Sequence, residues 1–97
     1  MKIYEEDEIK IWLEENSFEW DYEDQSLIKK FTFKDFVQAF EFMSQVATLA
    51  EEDHHHPNWT NNYSTVVLRW TTHDFGGITD RDLNIIKKVE ALYKLQK

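Results

Sequence analysis

Apolar side chains recur along this chain in two rhythms, a helical one and an alternating one, and the switches between them mark out the elements. Ile3 to about Asn16 carries Ile9, Trp12 and Leu13 at helical spacing among acids, which predicts a first amphipathic helix. Phe18-Glu19-Trp20-Asp21-Tyr22 alternates ring and acid, the period of a half-buried strand. Glu23-Asp24-Gln25 reads as a polar turn, and Leu27 to Phe33 as the strand that returns from it. Phe33 to about His54 is the strongest helical signal. Phe33, Phe36, Val37, Phe40, Met43, Ala47 and Ala50 fall on one stripe at the helical angle, which is expected to face the sheet. Phe42, Val46 and Leu49 fall on the opposite side, so that stripe is expected either against another subunit or under loops and the first helix.

Pro57 ends the helix, because it lacks an amide hydrogen and holds His56 in extended conformations. Trp59 to Tyr63 then reads as a short strand, Ser64-Thr65 as a turn and Val66 to Thr72 as a longer strand. Val66, Leu68 and Trp70 share one face of it, while Val67, Arg69, Thr71 and His73 share the other. Asp74 to Gly77 is a turn that holds both glycines. Thr79 followed three residues later by Asp82 resembles a capping box, and the helix behind it buries Leu83, Ile86, Val89 or the neighbours of Glu90, and Tyr93. The order helix, two strands, helix, two strands, helix predicts an α+β fold: a four-stranded antiparallel sheet with three helices packed on one face.

Composition narrows the function more than the fold. Ninety-seven residues suit a single domain spanning residues 1–97, with 15 aromatic residues to build one core. A formal net charge of −8 and no basic stripe argue against direct binding of nucleic acid. The absence of cysteine excludes disulfides and thiolate metal sites. The acidic start Met1-Lys2-Ile3-Tyr4-Glu5-Glu6-Asp7-Glu8 lacks the apolar run of a signal peptide, and no segment has the apolar length to cross a membrane. A soluble cytoplasmic protein is expected.

The candidate chemistry sits in Glu51-Glu52-Asp53-His54-His55-His56-Pro57 and Thr72-His73-Asp74, which hold all four histidines. Histidine titrates near neutrality, so imidazoles gathered beside carboxylates suit proton transfer. If the helix runs on, His55 lies one turn past Glu51 on the same side, where the carboxylate would fix its tautomer. A plainer origin is that cations are favoured at a helix C-terminus. Three consecutive histidines point in different directions and make poor co-ligands, so no metal is expected, although His55, His73 and Glu51 together could hold zinc.

These residues carry a resemblance. A His-His-Pro-x-Trp run with a carboxylate four residues before it, and a later Thr-His, is similar to the pterin-4a-carbinolamine dehydratase family. Phe31-x-Phe33-Lys34-Asp35-Phe36, Trp59-x-Asn61-x-Tyr63 and Gly77-x-Thr79-x-x-Asp82-Leu83 follow in the family's order, from about residue 18 to the end. The resemblance implies dehydration of 4a-hydroxytetrahydropterin, 4a-hydroxytetrahydrobiopterin in the aromatic amino-acid hydroxylase cycle, to quinonoid dihydropterin, with no cofactor. It implies His55 and His73 as general acids flanking the ring, His56 as the residue that orients the pterin, and Glu51 as support for the imidazoles. It further implies that His54 to His56 and Thr71 to Asp74 (Thr71, Thr72, His73, Asp74) line the substrate. Asp82 matches a family acid near the site and equally the N3 position of a cap at Thr79. His54 departs from the Asn or Asp common in the family. The family's habits also imply a homodimer or homotetramer. The rival function is a non-catalytic partner-binding module, since similar proteins act as homeodomain transcription cofactors or as assembly factors.

Overall fold

Two hairpins build the sheet, and each turns where the backbone enters the left-handed region. In the computed structural model, which describes residues 1–96, β1 (Asp21–Glu23) and β2 (Ser26–Thr32) are joined through Asp24 (φ 50°) and Gln25 (φ 60°). Two successive positive φ values match the right-handed twist of the flanking strands, and Asp tolerates that geometry better than most residues. The second hairpin joins β3 (Asn58–Asn62) to β4 (Thr65–Trp70) through Tyr63 (φ 53°) and Ser64. Asn61 Nδ2 donates to the carbonyls of Tyr63 (3.1 Å) and Thr65 (3.0 Å) and so ties that turn. All pairings are antiparallel, in the order β1-β2-β4-β3.

The register places Leu27 opposite Trp70, Lys29 opposite Leu68 and Phe31 opposite Val66. Leu27, Phe31, Val66, Leu68 and Trp70 are all fully buried, so this is the face the helices cover. Lys29 shares it without an unpaired charge. Its ammonium meets Glu90 at 2.6 Å and lies over the rings of Trp20 and Phe31. The helices are α1 (Glu6–Asn16), α2 (Phe36–Asp53) and α3 (Asp80–Gln96), with a 3₁₀ turn at His73–Phe75 before the last. The α-β-β-α-β-β-α order and the α+β class expected from the sequence are those observed. The first helix begins at Glu6, three residues after the expected start, because Tyr4 pairs with Ile78 in an isolated bridge. The turn glycine that needs a positive φ is Gly76 (71°), the cap of the 3₁₀ turn.

Helix α2 is rotated from expectation: of the stripe expected to face the sheet, Ala50 is buried and Phe33 and Met43 pack against the core, but the rest of it turns outward. Ala39, Phe42, Val46 and Ala50 are its buried residues, whereas Phe36, Val37 and Phe40 are exposed. Phe42 and Val46, expected at a subunit contact or under loops, thus belong to the core beneath the sheet. Phe42 packs its ring at 5.0 Å from both Phe31 and Phe33. The helix is apolar on both sides, so periodicity alone leaves the choice open. Ala39, which neither stripe included, is the small residue on the inward side. The outward Phe36 and Phe40 rings stack on each other at 5.9 Å.

Candidate active site

The end of α2 decides which histidine goes inward. His54 takes the left-handed conformation (φ 51°) just past the helix. The amide of His54 donates to the Glu51 carbonyl at 3.3 Å and that of His55 to the Ala50 carbonyl at 3.0 Å. This pair of bonds is a Schellman motif, and it folds the chain back over the last turn. Non-glycine residues seldom adopt this conformation, with Asn, Asp and His the more frequent exceptions, which accounts for a polar residue at position 54. The reversal puts His55 into the interior, 8% exposed, with its ring stacked on Trp70 (5.5 Å, 27°). His54 and His56 are left outside.

The same reversal breaks the expected pairing. Glu51 does not reach His55. It meets His56 Nε2 at 2.5 Å, and both side chains are largely in solvent. The His56 hydrogen bond, followed by the imidazole's charge, lowers the Glu51 pKa below the ordinary carboxylate value. Glu51 itself is exposed, on the outward side of α2.

The carboxylate that holds His55 is Asp82, from the first turn of α3. Asp82 Oδ1 lies 2.6 Å from His55 Nε2, and Asp82 is fully buried. Its Oδ2 accepts from the Thr79 amide at 2.9 Å and from Thr72 Oγ1 at 2.7 Å. Thr79 Oγ1 stands 2.8 Å from Thr72 Oγ1 and accepts from the Arg81 amide at 3.3 Å. Proton counting orients the chain. Thr72 has one hydroxyl proton and gives it to Asp82, so Thr79 must donate to Thr72. Asp82 therefore accepts from three donors, and His55 carries its hydrogen on Nε2. Nδ1 is left as the ring nitrogen without a partner among the described residues. One oxygen of Asp82 closes the helix cap and the other holds an imidazole.

Seven of the sequence-selected residues, His54, His55, His56, Thr71, Thr72, His73 and Asp74, line one cleft of about 240 Å³. Asp82 stands behind its wall. Glu51 lies outside it, in a separate groove with His56, Pro57 and Trp59. Arg81 also lines the cleft and escaped the sequence reading. Its signal was a cation in the first turn of a helix, between Asp80 and Asp82. Among the described residues no three of His, Asp and Glu converge as a ligand set, so the trio His55, His73 and Glu51 is not assembled.

The sequence matches the model of the family described as Pterin 4 alpha carbinolamine dehydratase over residues 2–92. The chain belongs to that family. A Prochlorococcus marinus relative, provisionally named pterin-4-alpha-carbinolamine dehydratase, is 37% identical over 92 residues, covering 95% of this chain and 96% of its own. The crystal structure of a protein described as a transcriptional coactivator/pterin dehydratase from Brucella melitensis superposes with a TM-score of 0.86 at 34% identity. It covers 95% of this chain and 99% of that one. A pterin dehydratase-like protein identified as a RuBisCO assembly factor in the alpha-carboxysome shares the fold, with a TM-score of 0.64 at 22% identity over 77% of this chain and 87% of that one. In this chain the end of α2, the segment after β4 and the start of α3 bring the histidines into one cleft.

Proposed function

We propose that this protein dehydrates 4a-hydroxytetrahydropterin, 4a-hydroxytetrahydrobiopterin in the recycling of the hydroxylase cofactor, to quinonoid dihydropterin and water by histidine acid–base catalysis. The observation that carries this reading is His55, buried at the wall of the cleft with Nε2 held by Asp82 and Nδ1 without a partner among the described residues. The reaction breaks the C4a–OH bond and removes the N5 proton. The electron pair from N5–H forms the C4a=N5 double bond, while the leaving hydroxyl takes a proton and departs as water. One group must give a proton and another must accept one, and no redox change occurs. His55 and His73 are the two imidazoles assigned these exchanges. His56, tied to Glu51, is assigned to orienting the ring. A positioned proton donor contributes about 10²–10⁴-fold.

Chemically generated 4a-hydroxytetrahydropterin, followed by ultraviolet absorbance with and without a chelator, tests the reading. His55→Ala and His73→Ala should each lower turnover, and the double variant should lose nearly all of it. An unchanged rate in the double variant would remove this cleft from consideration. The second reading, a partner-binding module of the coactivator or assembly-factor kind, draws on the exposed Phe36, Val37 and Phe40 of α2. A folded wild type with no dehydration above the uncatalysed rate would favour it.

A further inference from the structure

We infer that this site prefers, over the neutral biopterin tail, a pterin whose side chain ends in an anion, phosphate or carboxylate, and that Arg81 and Lys87 receive that end. The inference rests on the dehydratase reading and names the substrate class for it. The histidine cleft, about 240 Å³, is smaller than the roughly 300–1,000 Å³ usual for small-molecule sites. It shares His55 and Arg81 with a neighbouring cleft of about 530 Å³, lined by Asp53, His55, Arg81, Asn84, Lys87 and Lys88. A ring bound against His55 thus has a ready path for its substituent along α3.

The charges along that path run against the rest of the molecule. The chain carries a formal net charge of −8, yet this cleft presents Arg81, Lys87 and Lys88 against Asp53 alone. Asp53 is taken by Lys88, at 2.8 and 2.9 Å. Arg81 and Lys87 have no acidic partner among the described residues. Arg81 is the sharper case, because it lies in the first turn of α3, where the helix dipole disfavours a cation. The acids beside it in sequence are directed elsewhere. Asp80 accepts from the Tyr4 hydroxyl at 2.5 Å, and Asp82 holds His55. Asp74 lines the histidine cleft together with Arg81, but among the described residues no carboxylate forms an ion pair with Arg81, and an anion in the cleft would. Helical spacing brings Arg81, Asn84 and Lys87 or Lys88 to one side, so a terminal anion can meet a fork of donors and an amide together.

Affinity of the full chain for three stable ligands tests this, read by quenching of tryptophan fluorescence. The ligands are dihydrobiopterin with a neutral tail, dihydroneopterin monophosphate, and dihydrofolate with a glutamate tail. At low salt the charged-tail ligands should bind about tenfold more tightly than the neutral one, and raised salt should shrink the gap. A gain with only one of the two identifies phosphate or carboxylate as the recognised end. In Arg81→Gln/Lys87→Gln, and in Lys87→Gln alone to a lesser degree, the ratio of charged to neutral affinity should fall toward one, with circular dichroism unchanged. Equal affinity for all three ligands in the wild type overturns the inference and leaves the dehydratase reading intact. Failure of every pterin to bind overturns both.

Discussion

His55 and His56 are adjacent, and each meets a carboxylate, at 2.6 Å and 2.5 Å, but the two pairs live in different media. The His55–Asp82 pair is buried, and every donor around the carboxylate belongs to a network that also caps α3 and anchors the end of β4. The His56–Glu51 pair is mostly exposed, and each partner has water as a ready substitute. Contact distance therefore says little about the importance of either pair. In low dielectric, removal of one partner strands the others, whereas in water the loss is absorbed. Rigidity is wanted where a proton is to be transferred along a defined line, and adaptability where a ring is only to be seated.

This contrast can be broken at either end. The largest effect is expected from Asp82→Ala, which leaves His55 Nε2, the Thr79 amide and Thr72 Oγ1 without their acceptor. Loss of a buried, hydrogen-bonded charge of this kind costs about 3–5 kcal/mol, so the thermal midpoint should fall by more than about 12 °C in calorimetry. A drop of only a few degrees would show that water replaces the carboxylate and that the site is wetter than its burial implies. Thr72→Val keeps the side-chain shape but removes the hydroxyl that links Thr79 to Asp82. It should cost about 1–2 kcal/mol in urea unfolding, with an unchanged denaturant slope.

Glu51→Gln should have the smallest effect on stability. The Glu51 pKa is lowered in the folded protein, so its contribution is present above the ordinary carboxylate value and is lost as pH falls through the lowered one. Because the pair is exposed and screened, unfolding curves of Glu51→Gln and wild type from pH 5 to 7 should superimpose, and added salt should not separate them. A clear loss of stability in that window would mean the exposed pair is structural after all.

The hairpins, the three helices and the inward face of β4 were legible because each follows from a period or a turn residue in a short window. The identity of the histidine cleft was legible too, from spacing and family pattern. Three things were not. The first strand, expected over Phe18 to Tyr22, pairs only over Asp21–Glu23, so Glu23 belongs to the strand and not to the turn. Glu51 was paired with His55 on the assumption that the helix continues to that point, and a single left-handed residue at His54 shifts the phase so that His56 takes its place. The true partner of His55 lies 27 residues away on α3, a contact that no local rhythm encodes. The inward side of α2 was misread for a related reason. Both sides are apolar, and what separates them is the packing of Phe42 against Phe31, Phe33 and Tyr93, set by the sheet and α3.

The central claim is that the buried pair, and not the exposed one, directs proton transfer. Initial rates of 4a-hydroxytetrahydropterin dehydration, measured side by side for Asp82→Asn and Glu51→Gln, test it most directly. Asparagine keeps the shape but offers His55 an amide in place of the carboxylate, so it no longer enforces hydrogen on Nε2. Asp82→Asn should lower kcat by about 10²-fold or more, while Glu51→Gln should change it by only a few-fold and act mainly on KM. Equal losses in the two variants, or a larger loss in Glu51→Gln, would contradict the account.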